Sequence, residues 1–326
     1  MSFTTFGSEI SGITIAVPKI KINNPKKTKS DADFIKHTGV KSKFSDPNLN
    51  TSELCIAAAE KLIKKLNWKK KKLGFLIFVS QTRDHILPQT ACVIQNKLKI
   101  NNKLFAFDLP MGCTGFVNSL YLSFLLSKSL KKNGLLLCGD VVSKLISKKD
   151  DKLKSLFGDC ASAIGIKYNS KNKDKNVFTF GTDGSGSEDL IYKSSGLNSF
   201  IEKDYLKMNG PKIVEFALNR VPEQIIDLLK KNKKKITDIN FAIFHQANKF
   251  LIENLGKKLG LNKKKILFSI EKYGNTNSAS IPLTIYQHSK KIENNYILIS
   301  GFGVGLTWSS AIIKINKLKV NKLIKI

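Results

Sequence analysis

The sequence predicts an α/β fold built as two successive halves, and three observations carry that prediction. Short apolar strands alternate with longer helical stretches along the whole chain. Each half contains strands, one long apolar helix and then more strands. No Pro-rich or Ser-rich linker divides them, so the halves 1–160 and 161–326 are expected as one compact unit. They share no obvious repeat at sequence level, so a duplicated architecture is inferred from element content alone.

Ile13–Val17 opens the chain as a strand. Glu53 to Leu66 has helical spacing, with Ser52 as its expected cap. Leu73–Ser80 reads as a buried strand, Gln89–Leu98 as a helix and Phe105–Asp108 as a short strand. Cys113–Lys132 is the central helix, with Gly134 as the expected C-cap, and Leu135–Val142 is the next strand. In the second half, Ala161–Tyr168 and Val177–Thr182 read as strands before a Gly/Ser-rich loop, Gly181–Ser187. Pro211–Lys231 is a long helix. The strand Phe241–Phe244 runs straight into His245, and Asn248–Leu259 is a helix ending at Gly260. Ser280–Lys290 is another helix. Tyr296–Ser300 and Thr307–Lys314 are strands joined by Gly301–Gly305.

Hydrophobic content of 42% and charged content of 25% are those of a globular protein with a large core. The formal net charge is +30, yet all but two of the 55 basic residues are lysine; Arg83 and Arg220 are the exceptions. Readers of nucleic acid depend on the arginine fork, and these lysines are scattered over the whole length. The charge is therefore read as solvated surface that attracts acidic partners, not as a nucleic-acid footprint. The five cysteines, Cys55, Cys92, Cys113, Cys138 and Cys160, form no CxxC pair. An odd count without that spacing argues against a disulfide framework and a zinc site. The N-terminus lacks the pattern of a signal peptide, and the apolar stretch Phe116–Leu130 is too short and polar to span a bilayer. A cytoplasmic protein is expected, with no membrane or nucleic-acid partner and no metal.

Cys113 stands where an apolar strand gives way to the central helix, between Gly112 and Gly115. Unpaired N–H groups at a helix start favour an anion, so a lowered thiol pKa and a nucleophilic sulfur are expected there. The small flanking residues let a carbonyl approach the sulfur. The other four cysteines are read as buried or inert. His245 follows a strand and precedes a helix, where α/β proteins present site residues, and Asn248 is one turn on, where it could face the same cavity. Asn275 lies in Gly274-Asn-Thr-Asn-Ser-Ala-Ser280. Such a cluster is ordinarily a turn, but a carboxamide N–H is also a good neutral donor to an oxyanion. The run Gly301-Phe-Gly-Val-Gly305 is read as a tight hairpin turn, and no nucleotide-phosphate loop is present.

Together these motifs resemble ketoacyl-acyl carrier protein synthase III, a condensing enzyme of the thiolase superfamily. The likeness runs from His37-Thr-Gly-Val40 to Trp308-Ser-Ser-Ala311. It includes Leu87–Gln95, Gly112-Cys-Thr-Gly-Phe116, Phe157-Gly-Asp-Cys-Ala-Ser-Ala163, His245-Gln-Ala-Asn248, Gly274–Ser280 and Gly301–Trp308. The resemblance implies a thiolase-like duplicated five-layer α-β-α-β-α sandwich, usually a homodimer. It implies that Cys113 takes the acyl group from a CoA or acyl-carrier-protein thioester. His245 and Asn275 would then hold a malonyl thioester carbonyl as carbon dioxide leaves, His245 through Nε2–H. The N–H groups of Cys113 and Val304 would form the oxyanion hole. Leu87, Phe157, Gly210 and Asn248 match substrate-binding positions, with Leu87 reaching across the dimer. Lys257 and Lys258 match positions that dock the acidic carrier protein, although in a Lys-rich chain they also read as ordinary solvated lysines. No cofactor is implied beyond the phosphopantetheine thioester itself.

Departures from the family pattern cluster at the entrance. Asp33 and His37 stand where a Trp and an Arg usually stack on adenine, and Asp151 stands near a further entrance Arg. Cys160 and Ser162 replace two glycines, and Val304 replaces another. These changes suggest a specialised homologue and keep an alternative open: acyl transfer to an oxygen or nitrogen acceptor, as on a sugar or secondary metabolite, without condensation.

Overall fold

The computed structural model describes residues 2–194 and 204–326. Two sheets lie at its centre. In the first, the strand order is Lys319–Val320, Ser8–Val17, Cys160–Tyr168, Gly134–Asp140, Phe75–Val79, Phe105–Leu109, and Ile324–Lys325 also pairs with Ser8–Val17. In the second it is Phe3–Thr5, Asn176–Thr182, Thr307–Ile315, Asn295–Gly303, Phe241–Phe244. The two share one pattern of directions: two antiparallel pairings, then a parallel one. The edge strand Phe105–Leu109 has only a vestige in the second sheet, a parallel bridge from Ala242 to Ile266.

Three apolar layers bind five structural layers. The helices Thr51–Leu66 and Thr90–Lys97 cover the outer face of the first sheet through Leu54, Ala58, Leu62, Ala91 and Ile94. Gly210–Lys231 and Lys249–Lys258 cover the outer face of the second through Val221, Ile225, Leu228, Ile252 and Leu255. Between the sheets lie Gly115–Leu130 and Ser280–Gln287, whose Phe116, Leu120, Ile281 and Leu283 are almost wholly buried. Burial on both faces explains why the central strands are continuous apolar runs rather than alternating ones. The expected duplicated five-layer sandwich is therefore the observed architecture.

Several boundaries differ from expectation. The first sheet continues past residue 160, because the strand Cys160–Tyr168 pairs with Ser8–Val17. The chain ends also exchange sides: Phe3–Thr5 joins the second sheet and the final strands join the first. Asn50, not Ser52, caps the helix at Thr51, forming a reciprocal box with Glu53, while Ser52 Oγ donates to Asp84. Lys131, at φ 52°, ends the central helix in place of Gly134, which opens the next strand. The helix Lys29–Thr38, capped by Thr28, had no predicted counterpart; it buries no residue fully, so its apolar pattern is faint.

Candidate active site

Cys113 lies in the turn before the central helix Gly115–Leu130. Across from it runs the hairpin that joins the last long strands of the second sheet. A Cβ on Gly303 would stand 2.8 Å from the Cys113 sulfur, and one on Gly301 would stand 2.5 Å from the Cys113 carbonyl oxygen. Glycine at both places lets this hairpin close over Cys113. The N–H groups of Val304 and of Cys113 itself favour a negative charge on the sulfur. Burial outweighs them and pushes the thiol up to about 12, the reverse of the lowered pKa expected from a helix start. The resting residue is thus a neutral thiol, partly open to solvent. Burial also raises the thiols of Cys55, Cys138 and Cys160, whereas Cys92 is exposed.

The loop before the second central helix faces this turn. Asn277 Oδ1 accepts the Cys113 thiol at 3.3 Å, and its Nδ2 donates to Gln81 Oε1 at 3.0 Å. The backbone N–H of Asn277 donates to Asn275 Oδ1 at 3.0 Å, which leaves the N–H end of the Asn275 amide to serve as a donor. Asn275 is further fixed by its backbone: its N–H donates to Leu156 O, and its carbonyl accepts from Gly158 N. Asp140 ties the surroundings together. It accepts from Gln81 N and Ser80 Oγ on one side and from Ser278 N and Oγ on the other. Burial lifts its carboxyl to about 6 against those hydrogen bonds.

His245 extends the strand Phe241–Phe244, and its N–H donates to Ser300 O at 2.7 Å. The imidazole is 1% exposed, stands edge-on to Phe302 with centroids 5.8 Å apart, and pairs through Nδ1 with Ser280 Oγ at 2.8 Å. Desolvation drives its pKa down to about 3, so the ring is neutral. Gln246 fastens this turn to the segment leading to Asn275, accepting at Oε1 from the N–H groups of Ser269 and Ile270. His245 therefore shares Ser280 with the Asn275 loop and Phe302 with the hairpin over Cys113. Sequence reading missed Gln81, Asp140 and Ser280 as partners. Asn277 and Ser280 lay in a quoted motif, but nothing local marked Gln81 or Asp140.

Two family models match the chain: 3-oxoacyl-[acyl-carrier-protein (ACP)] synthase III over residues 107–184, and its C-terminal counterpart over residues 229–315. A beta-ketoacyl-[acyl-carrier-protein] synthase III of Clostridium perfringens is 32% identical over 324 residues, covering 94% of this chain and 99% of the relative. The chain belongs to the 3-oxoacyl-[acyl-carrier-protein] synthase III family. A namesake from Streptococcus mutans is 33% identical over 325 residues, covering 94% and 99%. The crystal structure of a 3-oxoacyl-(acyl-carrier protein) synthase from Burkholderia xenovorans superposes with a TM-score of 0.94 at 31% identity, covering 100% of this chain and 99% of that one. The priming β-ketosynthase of the R1128 polyketide pathway, at 21% identity and a TM-score of 0.84, shares the fold.

The remaining synthase III positions spread outward from the centre. Phe157 is 9% exposed and bridges backbone-to-backbone with Asn275, so it borders the site. Asn248 does not turn its amide oxygen to the cavity: Oδ1 caps the helix Lys249–Lys258 by accepting from Leu251 N at 2.7 Å. Gly210 opens the long helix Gly210–Lys231 beside free space. Leu87 is 83% exposed, far from any role within this chain alone. Lys257 and Lys258 are exposed and line a shallow groove with Glu215, Leu218, Asn219 and Asn254. Of the positions expected at the entrance, His37 packs on the exposed ring of Phe250, with centroids 6.3 Å apart, and Asp151 pairs with Lys154 at 2.7 Å. No group of His, Cys, Asp and Glu among the described residues could hold a metal ion, and no described helix is long and apolar enough to cross a membrane.

Proposed function

We propose that this synthase III loads an acyl group on Cys113 from a CoA or acyl-carrier-protein thioester and condenses it with a malonyl thioester. The observation that carries the reading is the hairpin whose glycines Gly301 and Gly303 close directly over Cys113, beside the loop that holds Asn275. In the first step the Cys113 sulfur attacks the thioester carbonyl. The N–H groups of Cys113 and Val304 stabilise the oxyanion, the new C–S bond forms, and the thiol proton leaves with the departing thiol. Next, His245 Nε2–H and Asn275 Nδ2–H donate to the malonyl thioester carbonyl. Neutral donors suffice here, since charge develops on that oxygen as the bond to the carboxylate breaks and carbon dioxide departs. A Ser280 hydroxyl that donates to Nδ1 selects the Nε2–H tautomer. The carbanion attacks the acyl carbonyl, Cys113 leaves as thiolate and one proton from solvent restores the thiol. The product is a 3-oxoacyl thioester. No cofactor takes part.

The alternative of acyl transfer to an oxygen or nitrogen acceptor is not favoured. It has no use for Asn275, and the relatives named above are synthases. Lys257 and Lys258 suit an acidic carrier protein delivering substrate to this face. A homodimer is supported by the open edge strand Phe105–Leu109, beside which Phe105, Ile86 and Leu87 are all more than half exposed. The decisive experiment mixes purified protein with an acyl thioester and carboxyl-labelled malonyl-acyl carrier protein. Label is released as carbon dioxide only when the primer is present; acylation of Cys113 without release refutes condensation.

A further inference from the structure

We propose that Asn277 is a catalytic residue of this site, whose carboxamide oxygen, oriented by Gln81, holds the Cys113 thiol as an S–H donor and keeps it protonated until a thioester displaces that contact. The inference rests on Cys113 being the nucleophile. Asn277 Oδ1 is 3.3 Å from the sulfur, within reach of a thiol donor. A carboxamide could present either end, but Gln81 Oε1 accepts from Asn277 Nδ2, which turns the oxygen to the thiol. Gln81 is itself seated by its N–H on Asp140. Asn277 is held from the other side as well: its own N–H donates to Asn275, and its φ of 49° is left-handed, a conformation asparagine tolerates well. Gly112 makes the approach possible, because a Cβ there would collide with Gln81 Oε1 and Asn277 Oδ1.

An acceptor on the thiol stabilises S–H and not S⁻, so it acts with burial and against the N–H groups of Val304 and Cys113. When a thioester carbonyl enters, the sulfur forms its bond to carbon, the S–H bond breaks, and the proton passes to the departing thiol. The Asn277 contact then has no donor. The resting enzyme is thereby kept as an unreactive thiol, and reactivity appears with substrate.

The test is the pH dependence of iodoacetamide alkylation at Cys113, read by peptide mass spectrometry so that the other cysteines do not interfere. No substrate is needed, so the result stands whether or not condensation is ever observed. Asn277→Gly removes the acceptor while tolerating the left-handed backbone, and it lowers the apparent pKa by about one unit, giving roughly tenfold faster alkylation below the midpoint. The near-isosteric Asn277→Asp puts a carboxylate against the sulfur and raises the apparent pKa, slowing alkylation at the same pH. Gln81→Ala frees the Asn277 amide to turn and shifts the profile in the same sense as the glycine variant, by less. Asn277→Leu keeps the bulk and the exclusion of water but has no acceptor, and it too lowers the apparent pKa; a side chain that merely packs would leave the leucine profile at the wild-type position. An unchanged leucine profile overturns the proposal; should that variant not fold, an unchanged Gln81→Ala profile does so.

Discussion

Set side by side, the two halves have the same frame and different contents. In each, a parallel strand ends in a turn beside the centre, and a helix that starts later in the chain runs between the sheets. After Phe75–Val79 comes Ser80-Gln81; after Phe241–Phe244 comes His245-Gln246. Before Gly115–Leu130 stands Cys113; before Ser280–Gln287 stand Asn275 and Asn277. The frame thus brings two turns and two helix starts together at one place. The first half fills its positions with the proposed nucleophile and Gln81, the second with the proposed neutral donors. Symmetry of backbone builds the chamber, and asymmetry of side chains makes it reactive.

The division of labour can be broken in stages. The largest effect is expected from the first half: Cys113→Ala abolishes acyl loading, read by intact mass after exposure to an acyl thioester, while the circular dichroism spectrum is retained. Gly303→Ala comes close behind. Its new methyl would lie 2.8 Å from the sulfur, so loading falls sharply although Cys113 is present. In the second half, His245→Ala and Asn275→Ala each still load the acyl group but lose on the order of 10²–10³-fold in carbon dioxide release. Loss of loading with condensation spared in His245→Ala would reverse the assigned roles. Asp140 belongs to both halves, since it accepts from Gln81 and from Ser278. Asp140→Asn is expected to cost about 1–3 kcal/mol, measured as a lower urea midpoint at constant slope.

The last test concerns pH. A buried imidazole whose pKa falls from 6.5 to about 3 binds its proton more weakly folded than unfolded. Its neutral form favours the native state above pH 6.5, and that contribution is lost as pH falls toward 3, at about 1.4 kcal/mol per unit. Asp140, raised from 3.8 to about 6, acts with the opposite sign over its own range. Comparing wild type with His245→Gln cancels the aspartate, so the stability difference should move against wild type between pH 6.5 and 4. A parallel pH dependence in both would show that the ring is solvated.

Much of this was legible because it is local. Apolar runs bounded by Gly and Asn mark the central strands, and the flanking glycines mark Cys113. The resemblance supplied His245 and Asn275 as its partners. What stayed hidden is set by long-range contacts. Gln81 meets Asn277 across 196 residues and Asp140 meets Ser278 across 138, and neither Gln nor Asp at a strand end announces a partner. Asn248 was ambiguous for the opposite reason: its spacing from His245 fits a shared cavity and equally an N-cap, and its Oδ1 takes the cap because Leu251 N needs an acceptor. The thiol pKa reversed because a sequence displays a helix start but not the protein packed around it.

The exchange of terminal strands has a further consequence. The second sheet is flanked by Phe3–Thr5, and the first is completed by Lys319–Val320 and Ile324–Lys325. A chain severed between Tyr168 and Asn176 would yield two pieces, each missing a border that the other owns. Neither half can therefore be transplanted by itself, and chimaeras between relatives must carry their ends along with the opposite lobe.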